Sequence, residues 1–171
     1  KTLTTPDALS LQKLFYEFKV LGFTHVVMEV SSHALDQYRV ADINFNFAVF
    51  TNLTPEHLDY HPSMEAYYQA KSRLFKMLTI DGVAIINSSD LNGERIAKET
   101  IATVLFFSRG NGDTIHFANA DSTLKGIKGA IKAGDFSYEI NSSLIGDFNK
   151  ENILASVSAL HAIGLGSEAI A

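Results

Sequence analysis

The sequence predicts an α/β fold, a mostly parallel sheet flanked by helices with a small antiparallel sheet at its edge. Two observations predict it. Short, largely apolar runs at His25–Val30, Phe45–Phe50, Val83–Ile86 and Val104–Phe107 alternate with segments of helical period. Such runs suit parallel strands covered on both faces. From Arg109 to Leu144 the pattern changes to short alternating segments broken by glycine, which reads as antiparallel strands.

The elements follow in order. Thr5 as N-cap and Pro6 at the first helical position open a helix whose stripe is Leu11, Leu14, Phe15, Phe18 and Leu21, and Gly22 stops it. A strand to Val30 follows, then a polar loop or short helix from Ser31 to Asp42. After the strand ending at Phe50 comes a loop with His57, and then a helix capped by Ser63. Asp81-Gly82 reads as a turn, Leu91 to Ile101 as a helix and Arg109 to Asp113 as a loop. Strands are expected at Thr114 to Phe117, Thr123 to Lys132 and Asp135 to Ile140. Helical period resumes at Asn149 and runs to Gly164, and Ser167 opens a further helix. The α/β core is expected over 1–108 and 145–171, with the antiparallel part at 109–144.

The bulk composition narrows the function. The chain has 171 residues, enough for one buried core, and 46% are hydrophobic. Net charge is −5 and no basic tract occurs, which argues against a nucleic-acid or anionic-membrane surface. Cysteine is absent, so neither disulfides nor thiolate metal sites are available. That absence fits a reducing compartment such as the cytoplasm. No run is long enough for a membrane span, and no signal peptide is visible. The chain begins at Lys1 without Met, which reads as a piece of a longer protein.

Polar clusters follow two of the apolar runs, where α/β proteins place ligands. Glu29 ends the first, and Thr51-Asn52 and then His57 follow the second. A carboxylate and an imidazole, with phosphate oxygens completing the shell, suit Mg²⁺; equally, each can be an ordinary structural residue. Glu56, Asp59 and His61 crowd the same loop as supporting partners or as a solvated turn. Lys71 falls on a stripe formed by Met64, Tyr67, Tyr68, Leu74, Phe75 and Leu78, while Gln69, Ser72, Arg73 and Lys76 point elsewhere. An apolar setting favours a neutral, nucleophilic amine; the alternative is a side chain that extends its head into water. Arg39 suits a carboxylate or phosphate, or a surface ion pair. Asn149 and Asn152 lie one turn apart, suited to an adenine edge or to capping a helix. No Gly-x-Ser-x-Gly elbow and no phosphate-binding loop of the Gly-x-x-x-x-Gly-Lys-Ser/Thr type occurs.

Beyond these patterns the chain resembles the Mur ligases, ATP-dependent peptide-bond-forming enzymes of peptidoglycan synthesis. The resemblance rests on Leu3-Thr4-Thr5-Pro6, Met28-Glu29-Val30-Ser31-Ser32-His33-Ala34-Leu35, Gln37-Tyr38-Arg39-Val40 and Phe50-Thr51-Asn52-Leu53. It continues through His57-Leu58-Asp59-Tyr60-His61, Ala70-Lys71-x-x-Leu74-Phe75 and Gly146-x-Phe148-Asn149-x-x-Asn152. The motifs occur in order over nearly the whole chain. They are most similar to the members that add a diamino acid to the D-glutamate of UDP-N-acetylmuramoyl-L-alanyl-D-glutamate.

The resemblance implies a central, ATP-binding domain and a set of roles. Glu29, His57 and a carbamylated Lys71 would hold Mg²⁺. Thr4, Thr5, Ser31, Gln37 and Arg39 would contact the UDP-N-acetylmuramoyl dipeptide, and Asn149 and Asn152 would lie near the adenine of ATP. The implied reaction runs through an acyl phosphate, in a cytoplasmic monomer. Two departures stand out: Glu56 where the family has Asp, and Asn87-Ser88-Ser89-Asp90 where it has Asn-x-Asp-Asp. The family's phosphate loop belongs upstream of Lys1, and its N-terminal uridine-binding and C-terminal amino-acid-selecting domains also lie outside the sequence. The chain alone is therefore expected to be inactive. Competing readings are a folylpolyglutamate-synthase-like ligase, a metal-dependent hydrolase using Glu29, His57 and Asp59, and a silent binding module.

Overall fold

A computed structural model describes residues 3–110, 112 and 114–170, which divide into two units interleaved along the chain. One comprises residues 3–44 and 54–77, the other 45–53 and 78–170.

The first unit is built on three helices. Helix α1 spans Ala8–Val20. Its N-cap is Asp7 rather than Thr5: Asp7 Oδ1 accepts from the Ser10 amide at 3.0 Å, and Oδ2 from the Ser10 hydroxyl at 2.7 Å. The Thr5 hydroxyl is engaged by residues far along the chain, so the cap falls to Asp7. Gly22 ends the helix as expected, at φ 82°. Its amide donates to the Lys19 carbonyl at 3.1 Å and that of Phe23 to Phe18 at 3.0 Å, the paired bonds of a Schellman motif. Of the expected stripe Leu11 is buried, Leu14, Phe15 and Phe18 are half-buried, and Leu21 is exposed.

Residues 23–30 depart from expectation. They are not a strand: no ladder forms with any described residue, and Val27 is 93% exposed. A strand exists only beside a hydrogen-bonded neighbour, so a β-branched run without one stays merely extended. Helix α2, Ser32–Asp36, is capped by the Ser31 hydroxyl. Helix α3, Met64–Lys76, is capped by Ser63, and its stripe buries Tyr67, Tyr68 and Phe75. Leu78 lies beyond this helix. Ser72 is buried, contrary to expectation; its hydroxyl donates to the Gln69 carbonyl of its own helix at 3.1 Å, so burial costs it no hydrogen bond.

The second unit is one six-stranded sheet in the order β1 to β6. The strands are Phe45–Phe50, Leu78–Asn87, Thr103–Ser108, Ile115–Thr123, Gly126–Ala133 and Phe136–Ser142. The first four pair in parallel, and β4, β5 and β6 pair antiparallel, which is the expected mixed sheet. Parallel strands need long crossovers. The short connection from Ser108 to Ile115 cannot return the chain along β3, so β3 and β4 pair only at Phe107–Ile115 and Ser108–His116. Asn111 and Asp113 of the expected loop lie outside the described residues. Helix α4, Leu91–Glu99, stops before the expected Ile101. Helix α5, Phe148–Ala162, brings Leu154 and Val157 to a core of Ile85, Phe107, Ile115, Ile131 and Tyr138. Helix α6 is Ser167–Ile170.

Asp81-Gly82 is not a turn between elements. It lies inside β2, in an irregularity where Phe45 pairs with Leu78 but Phe47 with Val83. A Cβ on Gly82 would lie 2.9 Å from the Thr79 carbonyl oxygen and 3.1 Å from that of Asn46. Both are backbone atoms and cannot rotate away. Gly82→Ala should therefore destabilise the chain by about 1–3 kcal/mol, the usual cost of overpacking. Urea denaturation checks this: the midpoint should fall with the m-value unchanged.

Candidate active site

In the first unit the candidate substrate residues form one hydrogen-bonded network. Thr5 is buried, and its hydroxyl donates to the Glu29 carbonyl at 2.9 Å and accepts from the Ser31 amide at 3.0 Å. It ties the start of the chain to the entry of α2. Ser31 Oγ accepts from the Ala34 amide at 3.2 Å. Arg39 donates from Nη1 to the Thr5 carbonyl at 2.9 Å, and from Nε to Gln37 Oε1 at 2.9 Å, with Nη2 on the same oxygen. Gln37 Nε2 in turn donates to Tyr60 Oη at 3.2 Å, and Tyr60 donates to Asp36 at 3.0 Å. Arg39 is therefore no loose surface ion pair; its guanidinium plane is fixed by three hydrogen bonds to two acceptors. Thr4 is exposed beside the network.

The histidine loop is held next to it. His57 adopts a left-handed backbone, φ 57°, and its carbonyl accepts from the Tyr60 and His61 amides at 3.1 and 2.9 Å. Such a conformation is uncommon outside glycine and clusters at functional sites. The His57 ring meets His33 edge-on at 5.0 Å and Tyr67 at 5.8 Å. Lys71 is half-buried on α3, with Nζ 5.2 Å from the centroid of the same Tyr67 ring. His57 and Lys71 thus share Tyr67 as a common wall. The Glu29 side chain is exposed, and the network engages that residue through its backbone carbonyl. Among the described residues no group of three or more His, Asp and Glu side chains is placed to hold a metal ion. By residue type alone, a carboxylate and an imidazole are donors suited to a hard cation, whereas a lysine supplies an oxygen donor only if carbamylated.

His61 is the supporting residue the sequence left undecided. It is buried, with Nε2 2.9 Å from the Ser32 hydroxyl and its ring stacked on Tyr67 at 5.2 Å. Glu56 and Asp59 are exposed. Asp36 carries no motif, and neither the motif around Tyr60 nor the stripe holding Tyr67 assigns those residues a role; their long-range contacts reveal it.

The second unit holds the candidate nucleotide residues. Asn149 Nδ2 donates to the Ile145 carbonyl at 2.8 Å, and Asn152 Nδ2 to Asn149 Oδ1 at 3.0 Å. Asp147, at the N-cap position of α5, makes no capping bond through its side chain. The Asn87–Asp90 motif also finds its use here. Asn87 is buried and donates to the Thr51 carbonyl at 2.8 Å, and Asp90 accepts from the Leu53 amide at 2.7 Å. The two side chains fasten the segment after β1 to the end of β2, without the second acid of the family pattern.

Fold and residue pattern together are shared with the middle domain of a known protein family. A family model described as the Mur ligase middle domain matches residues 1–160, and the chain belongs to this family. It is 45% identical over 168 residues to the UDP-N-acetylmuramoyl-L-alanyl-D-glutamate--2,6-diaminopimelate ligase of Gloeobacter violaceus, covering 98% of this chain and 34% of that protein. A protein of the same name from Geobacter metallireducens is 39% identical over 173 residues, with the same coverage. A solved structure of a ligase of that name superposes with a TM-score of 0.87 at 33% identity, over 98% of this chain and 35% of that one. MurF from Acinetobacter baumannii shares the fold, with a TM-score of 0.66 at 21% identity over 73% of this chain and 27% of that one. The chain spans about a third of the length of the curated relatives it matches. Among the described residues no helix is long and apolar enough to cross a membrane.

Burial, and then the nearby His33, hold His61 below the ordinary histidine value of 6.5. The unfolded chain therefore binds this proton more readily than the folded one, and stability falls as pH drops below 6.5. The loss continues until the folded-state value is passed. His61→Gln keeps a hydrogen-bonding side chain but cannot titrate. Its melting temperature should fall less than that of the wild type between pH 7 and pH 5, as followed by circular dichroism.

Proposed function

We propose that this chain is the central segment of a cytoplasmic ligase that adds a diamino acid to the D-glutamate of UDP-N-acetylmuramoyl-L-alanyl-D-glutamate. The observation that carries the reading is the pairing of His57 and Lys71 around Tyr67 beside the Thr5–Ser31–Gln37–Arg39 network. The names of the relatives favour 2,6-diaminopimelate as the incoming amine. In this reading ATP phosphorylates the D-glutamate carboxylate, ADP leaves, the amine attacks the acyl phosphate and phosphate departs.

The residues divide the work between holding and neutralising. Arg39, immobilised by Gln37 and Thr5, presents a fixed cationic plane to the peptide substrate. Thr4 and Ser31 add hydroxyls beside it. Asn149 and Asn152 offer amides to the adenine edge. Lys71 reacts as the neutral amine: its nitrogen bonds the carbon of CO₂, a proton leaves, and the side chain becomes a carbamate anion. Glu29, His57 and that carbamate would hold Mg²⁺. Bound there, the metal would neutralise phosphate and carboxylate charge. Catalysis then rests on positioning and on charge placed where it develops.

Lys71→Ala in the full-length ligase carrying this domain should lower kcat by about 10³-fold or more, the scale of losing one preorganised charge-stabilising group. Added short carboxylates should restore part of it. Undiminished activity in the variant would sink the proposal. A ¹³C carbamate signal under labelled bicarbonate, absent in the variant, would identify the working group directly.

A further inference from the structure

We propose that Arg109 is a positioning residue: it fixes the first turn of α5 and thereby the orientation of Asn149 and Asn152 toward the nucleotide. The inference rests on the nucleotide role given to those two asparagines above.

Arg109 follows directly on β3 and grips the N-cap residue of α5 and a residue of its first turn at once. Nη1 pairs with the Asp147 carboxylate, Nη2 donates to the Asp147 carbonyl at 2.9 Å, and Nε pairs with Glu151 at 3.1 Å. Asp147 and Glu151 bracket Asn149, and Glu151 adjoins Asn152 in the sequence. The grip is needed because the start of α5 is otherwise weakly anchored. The segment before it is exposed from Ser143 to Ile145, and Gly146 sits at φ 97°, a backbone conformation that favours glycine. Asp147 gives α5 no capping bond; its carboxylate faces Arg109 and, at 3.0 Å, Lys150. Those two cations hold the Asp147 carboxyl below the usual carboxylate range, so the pairing persists at neutral pH.

The two asparagines form a chain rather than acting alone. Asn152 donates to Asn149, which donates back to the Ile145 carbonyl. A shift of the first turn therefore moves both amides together. Glu151 also lines a polar hollow of about 350 Å³ with Asn52, Asn87, Asp90 and Asn92. Arg109 thus aligns one wall of that hollow together with the asparagines. Exposed ion pairs contribute little to folding. The Arg109 side chain is 36% exposed and that of Asp147 65%. The contact therefore acts on geometry, and its loss should appear in nucleotide binding rather than in stability.

The test uses the full-length ligase carrying this domain, with KM measured separately for ATP and for the muramoyl peptide. Arg109→Ala should raise the ATP KM about three- to tenfold, the scale of losing charge-assisted contacts at a part-exposed site. The muramoyl-peptide KM should stay within about twofold, and the melting temperature should stay within about 2 °C. Arg109→Lys, which keeps charge but not the fork, should recover part of the loss. Asn152→Ala should raise the ATP KM as well, and the double variant should fall short of the product of the two effects. If Asn152→Ala raises the ATP KM while Arg109→Ala and Arg109→Gln do not, Arg109 is an ordinary surface ion pair and the proposal fails. If Asn152→Ala leaves the ATP KM unchanged, the nucleotide reading itself fails and takes the proposal with it.

Discussion

The second unit depends on the double pairing of β2. From Val83 to Ile86 this strand is bonded to β1 on one side and to β3 on the other, in parallel register, and the pairing with β3 continues through Asn87. A strand paired on both sides in a covered sheet must be apolar on both faces. Ile85 and Ile86 have no exposed surface. The polar residue of this stretch, Asn87, comes at the carboxyl end and is buried. Its amide is therefore obliged to find partners, and it finds the Thr51 carbonyl and the Ser89 amide. The segment after β1 is consequently fastened by the same strand that organises the core.

That dependence explains what the sequence could convey. Val83–Ile86 and Phe45–Phe50 read as strands because a both-faces-buried strand leaves an unbroken apolar run. The helix carrying Lys71 reads clearly because Ser63 and the Tyr67–Tyr68–Phe75 stripe agree. Residues 23–30 have the same composition as the other strands and yet form no ladder. Composition reports a preference for extended backbone, but a ladder requires a neighbour, which no local pattern encodes. The Asp81-Gly82 error has a similar origin. Gly82 does mark a close backbone approach, but the approach lies within a strand irregularity and not at a turn.

The candidate site was legible where residue type alone names a chemistry and illegible where a pair is needed. Glu29, His57, Lys71 and Arg39 stand out by type and motif. His61 read as either a supporting residue or a solvated turn, because nothing local places its ring on Ser32, 29 positions earlier. Thr5 read as a helix cap for the same reason: a hydroxyl before proline fits that role until its partners at Glu29 and Ser31 are seen. Arg109 was part of a glycine-rich loop by composition, and its partners on α5 lie 38 or more positions away.

The first unit shows why such long-range polar contacts are needed. Tyr38 and His57 are both non-glycine residues in the left-handed region, at φ 56° and 57°. Each such residue costs roughly 1–2 kcal/mol. Both lie in segments with little apolar burial of their own: Gln37 and Tyr38 are exposed, and so are residues 54–60. Hydrophobic packing holds the flanks of the first turn at Leu35 and Val40 but does not reach the exposed residues themselves. The Arg73 guanidinium 5.2 Å from the Tyr38 ring braces the first, and the buried His61–Ser32 bond braces the second. A histidine suits the second position because its ring combines two contacts, an apolar face on Tyr67 and a nitrogen on Ser32. A leucine there would keep the first contact and leave the buried Ser32 hydroxyl without the second, which is the costlier loss in a dry setting.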